Sequence, residues 1–260
     1  MIRRRIVLPI ILPVLLLMTL VPSASAVTTT TLEHRILGWI NQARVERHLV
    51  PLRADGRLWD LAGDRSAVLA SRNILSHTVA GSLSSQLAAR GIKWYRQGEA
   101  IGYSPRSAGT YATADLFAAW KRSTPHWDLL MSPNFNYIGI GMTYRSSTGR
   151  TFGDVILIDG PDRSRPGAAM VSVTRSGDDV RWKWRGWDVR LQTRTSGLAS
   201  FQVQYRVDSG TFRTITTATT ATTRLLANRS HGHWHGLRVR ARDKAGNVGA
   251  WSSEMRIWVP

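Results

Sequence analysis

Cysteine is absent from this chain and acidic residues are scarce: 17 Asp and Glu stand against 35 Lys and Arg, a formal net charge of +18. Without cysteine there is no disulfide, thiol nucleophile, iron–sulfur cluster or Cys-based zinc site. The fold must rest on packing, and 260 residues suffice for one or two ordinary cores. Long apolar runs are missing too, except from Ile6 to Val21. That run falls short of the roughly 20 residues a membrane-spanning helix needs. It contains Pro9 and Pro13, follows Arg3, Arg4 and Arg5, and precedes Ala24-Ser25-Ala26. This is the plan of a secretory signal peptide over residues 1–26, so we expect export, cleavage and no transmembrane segment afterwards. Export without disulfides suggests a bacterial source.

The positive charge is unevenly spread. Residues 27–163 carry 16 Lys and Arg against 11 Asp and Glu, whereas residues 164–260 carry 16 against 6. A basic exported protein meets anionic cell-wall polymer or lipid head groups, and export removes nucleic acid as a natural partner. The plainer reading is solubility in an arginine-rich proteome.

Periodicity divides the chain. Leu32, Ile36, Leu37, Ile40 and Val45 recur at helical spacing. A second helix opens at Asp55, places Leu58, Leu61, Ala62, Val68 and Leu69 on one side, and ends near Asn73. A third spans about 108–121, and "STPHWDLLM" starts another with Thr124 as N-cap and Pro125 in its first turn. "YIGIGMTY" and "FGDVILIDG" read as strands, and "GPDRSRPGA" as a linker. Beyond it, "FQVQYRVD" and "LRVRARD" alternate with the period of half-buried strands. We therefore expect an α+β domain over 27–160, a linker over 161–170 and an all-β sandwich over 171–260.

Groups suited to chemistry are few in the first half. His77 follows the second helix, Glu99 stands in the glycine-flanked segment "RQGEAIGY", which reads as a loop, and His126 lies in the first turn after Thr124. No local metal motif contains them. Ser76 is outside any G-x-S-x-G elbow, and Asp154 and Asp159 read as surface or turn residues.

The order "LSH", "GEAIGY", "AAWKRSTPH", "YIGIGM" over roughly residues 32–160 resembles the CAP superfamily, or SCP domain, of cysteine-rich secretory, antigen 5 and pathogenesis-related 1 proteins. The resemblance implies an α-β-α sandwich with a cleft lined by histidines and acids: His77, Glu99 and His126. Where the family pattern has a second glutamate, three residues after the tryptophan, this chain has Ser123. The cleft so implied would bind a ligand through His77, Glu99, His126 and Ser123, or a divalent cation such as zinc through His77, Glu99 and His126. The competing readings are an extracellular hydrolase using the same cleft and a structural surface module in which it is vestigial.

In the second half, "HGHWHG" sets His231, His233 and His235 at alternate positions, a geometry open to metal. "HGLRVRARDKAGNVGAWS" resembles a segment of fibronectin type III and bacterial immunoglobulin-like domains, in which such a histidine merely precedes a strand. In "RWKWRGW", Trp182 and Trp184 share a strand face and are expected in the core.

Overall fold

The computed structural model describes residues 29–260; the signal peptide expected over 1–26 lies outside the described residues. Helix α1 (Thr29–Glu46) is followed by a short strand β1 (Arg53–Ala54) and helices α2 (Gly56–Arg72) and α3 (Leu83–Ala89). Strand β2 (Arg96–Ser104), helices α4 (Thr110–Arg122) and α5 (Thr124–Leu130), and strands β3 (Tyr137–Arg145) and β4 (Arg150–Asp159) complete the first domain. The strands form one sheet in the order β1-β3-β4-β2. Only β1 runs parallel to its neighbour; β3, β4 and β2 are antiparallel. Among the described residues no helix is long and apolar enough to cross a membrane.

Strand alternation assigns the two faces. Val155 and Leu157 of β4, with Ile138, Ile140 and Met142 of β3, pack against Leu32, Ile36 and Ile40 of α1 and Leu116 and Trp120 of α4. Ile156, Ile158 and Tyr137 point the other way, onto Leu58, Leu61 and Ala62 of α2 and Leu87 of α3. The result is an α-β-α sandwich. The glycines of "YIGIGM" let a helix approach closely, since a Cβ on Gly139 would land in the Leu58 backbone and one on Gly141 in that of Ala62. Helix α2 thus lies directly on β3. Glu33 ties α1 to this layer, accepting from Trp59 Nε1 (2.6 Å) and the Met142 amide (2.8 Å).

Several local expectations need correction. "RQGEAIGY" is a strand, not a loop, because all nine residues of β2 pair with β4. Val45 falls outside the α1 stripe and is exposed. Ser123 rather than Thr124 occupies the N-cap of α5, and α3 has no counterpart among the expected helices. Asp154 and Asp159 are both buried.

The second domain comprises β5 (Gly167–Ser176), β6 (Asp179–Trp187), β7 (Leu198–Val207), β8 (Arg213–Thr219), β9 (Thr223–Leu226), β10 (His233–Asp243) and β11 (Met255–Val259). Two sheets, β11-β10-β7-β8 and β5-β6-β9, enclose Trp182, Trp184, Phe201, Val203, Leu237 and Val239. Trp182 and Trp184 are core residues, as the alternation predicts. The histidine run does not converge on one point. His231 contacts Asp178 and the Pro260 carbonyl, His233 contacts Asp208, and buried His235 bridges Tyr205 and the Ser230 carbonyl.

The domains are joined by more than the connecting segment. Leu191 belongs to the core beneath α2. Asp159 accepts from Thr193 Oγ1 (2.7 Å) and Arg194 Nε (2.9 Å), and Gln192 Oε1 accepts from the Val50 amide (2.6 Å). Asn136 donates to the carbonyls of Gly160 (2.8 Å) and Thr193 (3.3 Å).

The space around two glycines predicts opposite outcomes for their substitution. Gly141→Val should cost about 3 kcal/mol or more, lowering Tm by roughly 6–12 °C in thermal unfolding. Gly38→Ala, in α1 with open space around its Cα, should gain about 0.5–1 kcal/mol in the same measurement.

Candidate functional site

The glycines beside Glu99 explain its direction. Gly98 and Gly102 lie on the face of β2 that meets α4 and α5, and added Cβ atoms would meet Leu129 and Trp120. Glu99, one residue out of phase, points to the opposite face, where α2 lies. There Arg65 occupies the same buried stripe as Leu58, Leu61, Ala62 and Leu69. Its Nε donates to Glu99 Oε1 at 2.5 Å, and the two side chains are 2% and 6% exposed.

Arg65 also shapes the loop after α2. Its Nη2 donates to the His77 carbonyl (2.9 Å), and its Nη1 to the Gly81 carbonyl (3.0 Å) and Gln86 Oε1 (2.7 Å). Asn73 ends α2 in the left-handed conformation at φ 54°, turning the chain so that His77 comes back over β2. His77 Nδ1 then lies 2.6 Å from Glu99 Oε2, while the imidazole remains 53% exposed.

Asp154 completes the floor. It sits on β4 opposite Ile101, with Arg65 Nε 3.5 Å from its Oδ2. Neither of its oxygens receives a hydrogen bond from a donor. Burial, reinforced by repulsion from Glu99, raises the Asp154 carboxyl well above its ordinary value. Its neutral, protonated form is thereby favoured beside Glu99. Burial alone would raise Glu99 as well, but hydrogen bonds from Arg65, Asp154 and His77 outweigh it and hold Glu99 below its ordinary value. An ionised Glu99 can only accept, so His77 Nδ1 carries a proton, and in the neutral ring Nε2 is then the acceptor.

His126 is half-buried in the first turn of α5. Burial, then the charge of nearby His77, lowers its imidazole and favours the neutral form. Ser123 links α4 to α5: its amide donates to the Ala119 and Trp120 carbonyls at the end of α4, and its hydroxyl makes no capping bond to α5.

The set His77, Glu99 and His126 does not fit a three-ligand zinc centre. Both Glu99 oxygens are engaged, one by a guanidinium that repels a cation. Among the described residues, these three do not have donor atoms mutually within 4.8 Å. Glu99 acts instead on His77, fixing its tautomer and orientation. Arg65 and Asp154 escape a reading of the sequence alone, though both carry a signal. Arg65 continues the apolar stripe of α2 at helical spacing, and Asp154 interrupts the otherwise apolar "FGDVILI".

The cysteine-rich secretory protein (CAP) family model matches residues 37–156. Those residues form a CAP domain. It contains Arg65, His77, Glu99, Ser123, His126 and Asp154. Similar solved structures include an extracellular SCP-domain protein from Bacillus anthracis, with 21% identity and a TM-score of 0.44. The match covers 50% of this chain and 41% of that one, so it spans about two fifths of that protein. An outer surface protein from Borrelia burgdorferi matches at 16% identity and a TM-score of 0.45, over 51% of this chain and 96% of that one. A human fibronectin type III domain matches at 17% identity and a TM-score of 0.28, over 39% of this chain and 88% of that one. Among curated proteins none matches the chain.

Three outcomes follow from the CAP site. Glu99→Gln leaves Arg65 buried without its counter-ion and should destabilise by about 3–5 kcal/mol in chemical unfolding. Asp154→Asn should do the reverse at neutral pH. The folded protein holds a proton on Asp154 that the unfolded chain releases above about 3.8, so this group lowers stability as pH rises. Asn removes that loss, so the variant should show a higher Tm than wild type at pH 7, with the gap closing as pH falls below about 4. Glu99 and His126, both lowered, contribute in the opposite sense, their stability being lost as pH falls through their folded values. Long-range ¹H–¹⁵N spectra at about pH 8, above the ordinary histidine range, should show the Nδ1–H tautomer at His77.

Proposed function

We propose that this is an extracellular binding protein whose CAP domain takes up a small polar ligand between His77 and His126, while its basic β-sandwich keeps it at a surface. The observation that carries the reading is the 2.6 Å contact between His77 Nδ1 and Glu99. It leaves Nε2 of an exposed ring as an aimed acceptor, and neutral His126 supplies a second imidazole. Together they suit a ligand presenting hydroxyl or amine hydrogens. Export is supported by the leader pattern of residues 1–26 and by the match of residues 37–156 to a family described as secretory.

Binding is favoured over hydrolysis because the site lacks an activated nucleophile. Ser76 Oγ is bonded to Thr78 Oγ1 (3.0 Å), not to an imidazole. Asp154 is sealed, and Ser123 stands where the family pattern has its second acid. The Arg65 charge at the floor disfavours a resident cation.

Untargeted mass spectrometry of small molecules co-purifying with the mature protein tests this. A retained species should be lost from His77→Ala and from His126→Ala while both stay folded; retention by both variants, or no retained species, would refute the reading. Zinc calorimetry should give the same heats for wild type and His77→Ala, and a loss of heat in the variant would restore the metal assignment.

A further inference from the structure

The outward face of the β11-β10-β7-β8 sheet carries a row of arginines separated by aromatic rings. Phe201, Val203, Leu237, Val239 and Ala241 point into the core, so their neighbours on β7 and β10 point out. At one end Trp234 and Trp258, both exposed, pack 5.7 Å apart, and Arg256 lies 5.0 Å over Trp234. Arg206 and Arg238 follow, 4.5 and 3.9 Å from Phe212. Arg238 and Arg240 then flank Trp251 at 4.9 and 4.5 Å, and Arg242 ends the row. From Trp234 to Arg242 the row runs roughly 27 Å, at about 3.4 Å per residue.

The charge on this face is mostly uncompensated. Glu254, just before β11, reaches over Gly236, where any Cβ would collide with it, to pair with Arg206. Among the described residues, Arg238, Arg240, Arg242 and Arg256 make no ion pair within 4.0 Å. Arg238 and Arg240 are oriented without being neutralised. Each donates from Nε to an amide oxygen, Gln204 Oε1 (2.9 Å) and Gln202 Oε1 (2.7 Å). Beside them is a hollow of about 280 Å³ lined by Ser200, Gln202, Thr217, Arg240 and Arg242. Two guanidiniums with two hydroxyls and an amide suit a single anionic group.

We propose that this face binds an anionic polysaccharide: its charged groups lie on the guanidiniums, its sugar rings on Trp234 and Trp258, and one charged sugar enters the hollow. A row alternating rings with positive charges complements a polymer that alternates rings with negative ones. The outward residues of β6, Arg181, Lys183 and Arg185, have comparable charge, but only Trp187 stands among them, 5.8 Å from Arg185. They serve as the internal control. The proposal rests on the surface-association part of the proposed function and says which surface acts and what it holds.

The test uses the mature full-length protein with immobilised alginate, polyphosphate and phosphatidylglycerol vesicles. Alginate should bind best, and less at high salt. Arg240→Gln/Arg242→Gln should weaken alginate binding by about tenfold or more, and Trp234→Ala/Trp258→Ala by at least about threefold. The tryptophan pair should leave polyphosphate binding unchanged, and Arg181→Gln/Lys183→Gln/Arg185→Gln should leave alginate binding unchanged. Thermal unfolding identifies variants whose fold has suffered. Wild type that binds none of the three probes overturns both this proposal and surface association. Binding that ignores the row variants, follows the β6 triple variant, treats polyphosphate and alginate alike, or prefers vesicles overturns the proposal alone. The His77→Ala variant should bind alginate as wild type does, which separates this face from the CAP site.

Discussion

A buried guanidinium holds the first domain's functional face together. Arg65 is withdrawn from water on α2, and such a charge is tolerated only when its N–H groups find acceptors. It finds them in three places: the Glu99 carboxylate on β2, the carbonyls of His77 and Gly81 in the following loop, and Gln86 of α3. The same hydrogen bonds that make the buried cation tolerable place His77 over Glu99. Site geometry and local stability therefore have one cause, and neither can be altered alone.

The two carboxyls beneath His77 divide their roles by environment. Glu99 has Arg65 within hydrogen-bonding distance, which favours its charged form; Asp154 is deeper and without a donor, which favours its neutral form. Two acids sharing one cation would otherwise repel each other at close range. Pushing the Asp154 carboxyl towards its neutral form relieves that repulsion and leaves Glu99 as the charged partner of the imidazole.

How much of this the sequence discloses depends on the kind of signal. Alternation in "FQVQYRVD" and helical spacing in α1 and α2 report burial directly, so the all-β half, the first helices and the inward Trp182 and Trp184 are legible, whereas the α-β-α layering is implied by the family resemblance. "GEAIGY" imitates a loop because its glycines suggest turns. They are there because Leu129 and Trp120 crowd the other face of the strand, a tertiary fact with no local trace. The separation of His77, Glu99 and His126 along the chain hides their partner, since Arg65 resembles a solvated arginine until its place on the buried stripe is noticed. For the same reason, the one charged residue within "FGDVILI" passes for a surface position.

Leu191 is chained to the β-sandwich but lies in the core beneath α2, with the Val50 amide, Asp159 and Asn136 gripping the residues after it. It works like a dovetail. Severing the two halves would leave a greasy notch in one fragment and a dangling tongue on the other. Heat should therefore melt them in a single cooperative step, and any polymer gripped by the sandwich would present the histidine face to its surroundings at a set angle instead of on a swinging tether.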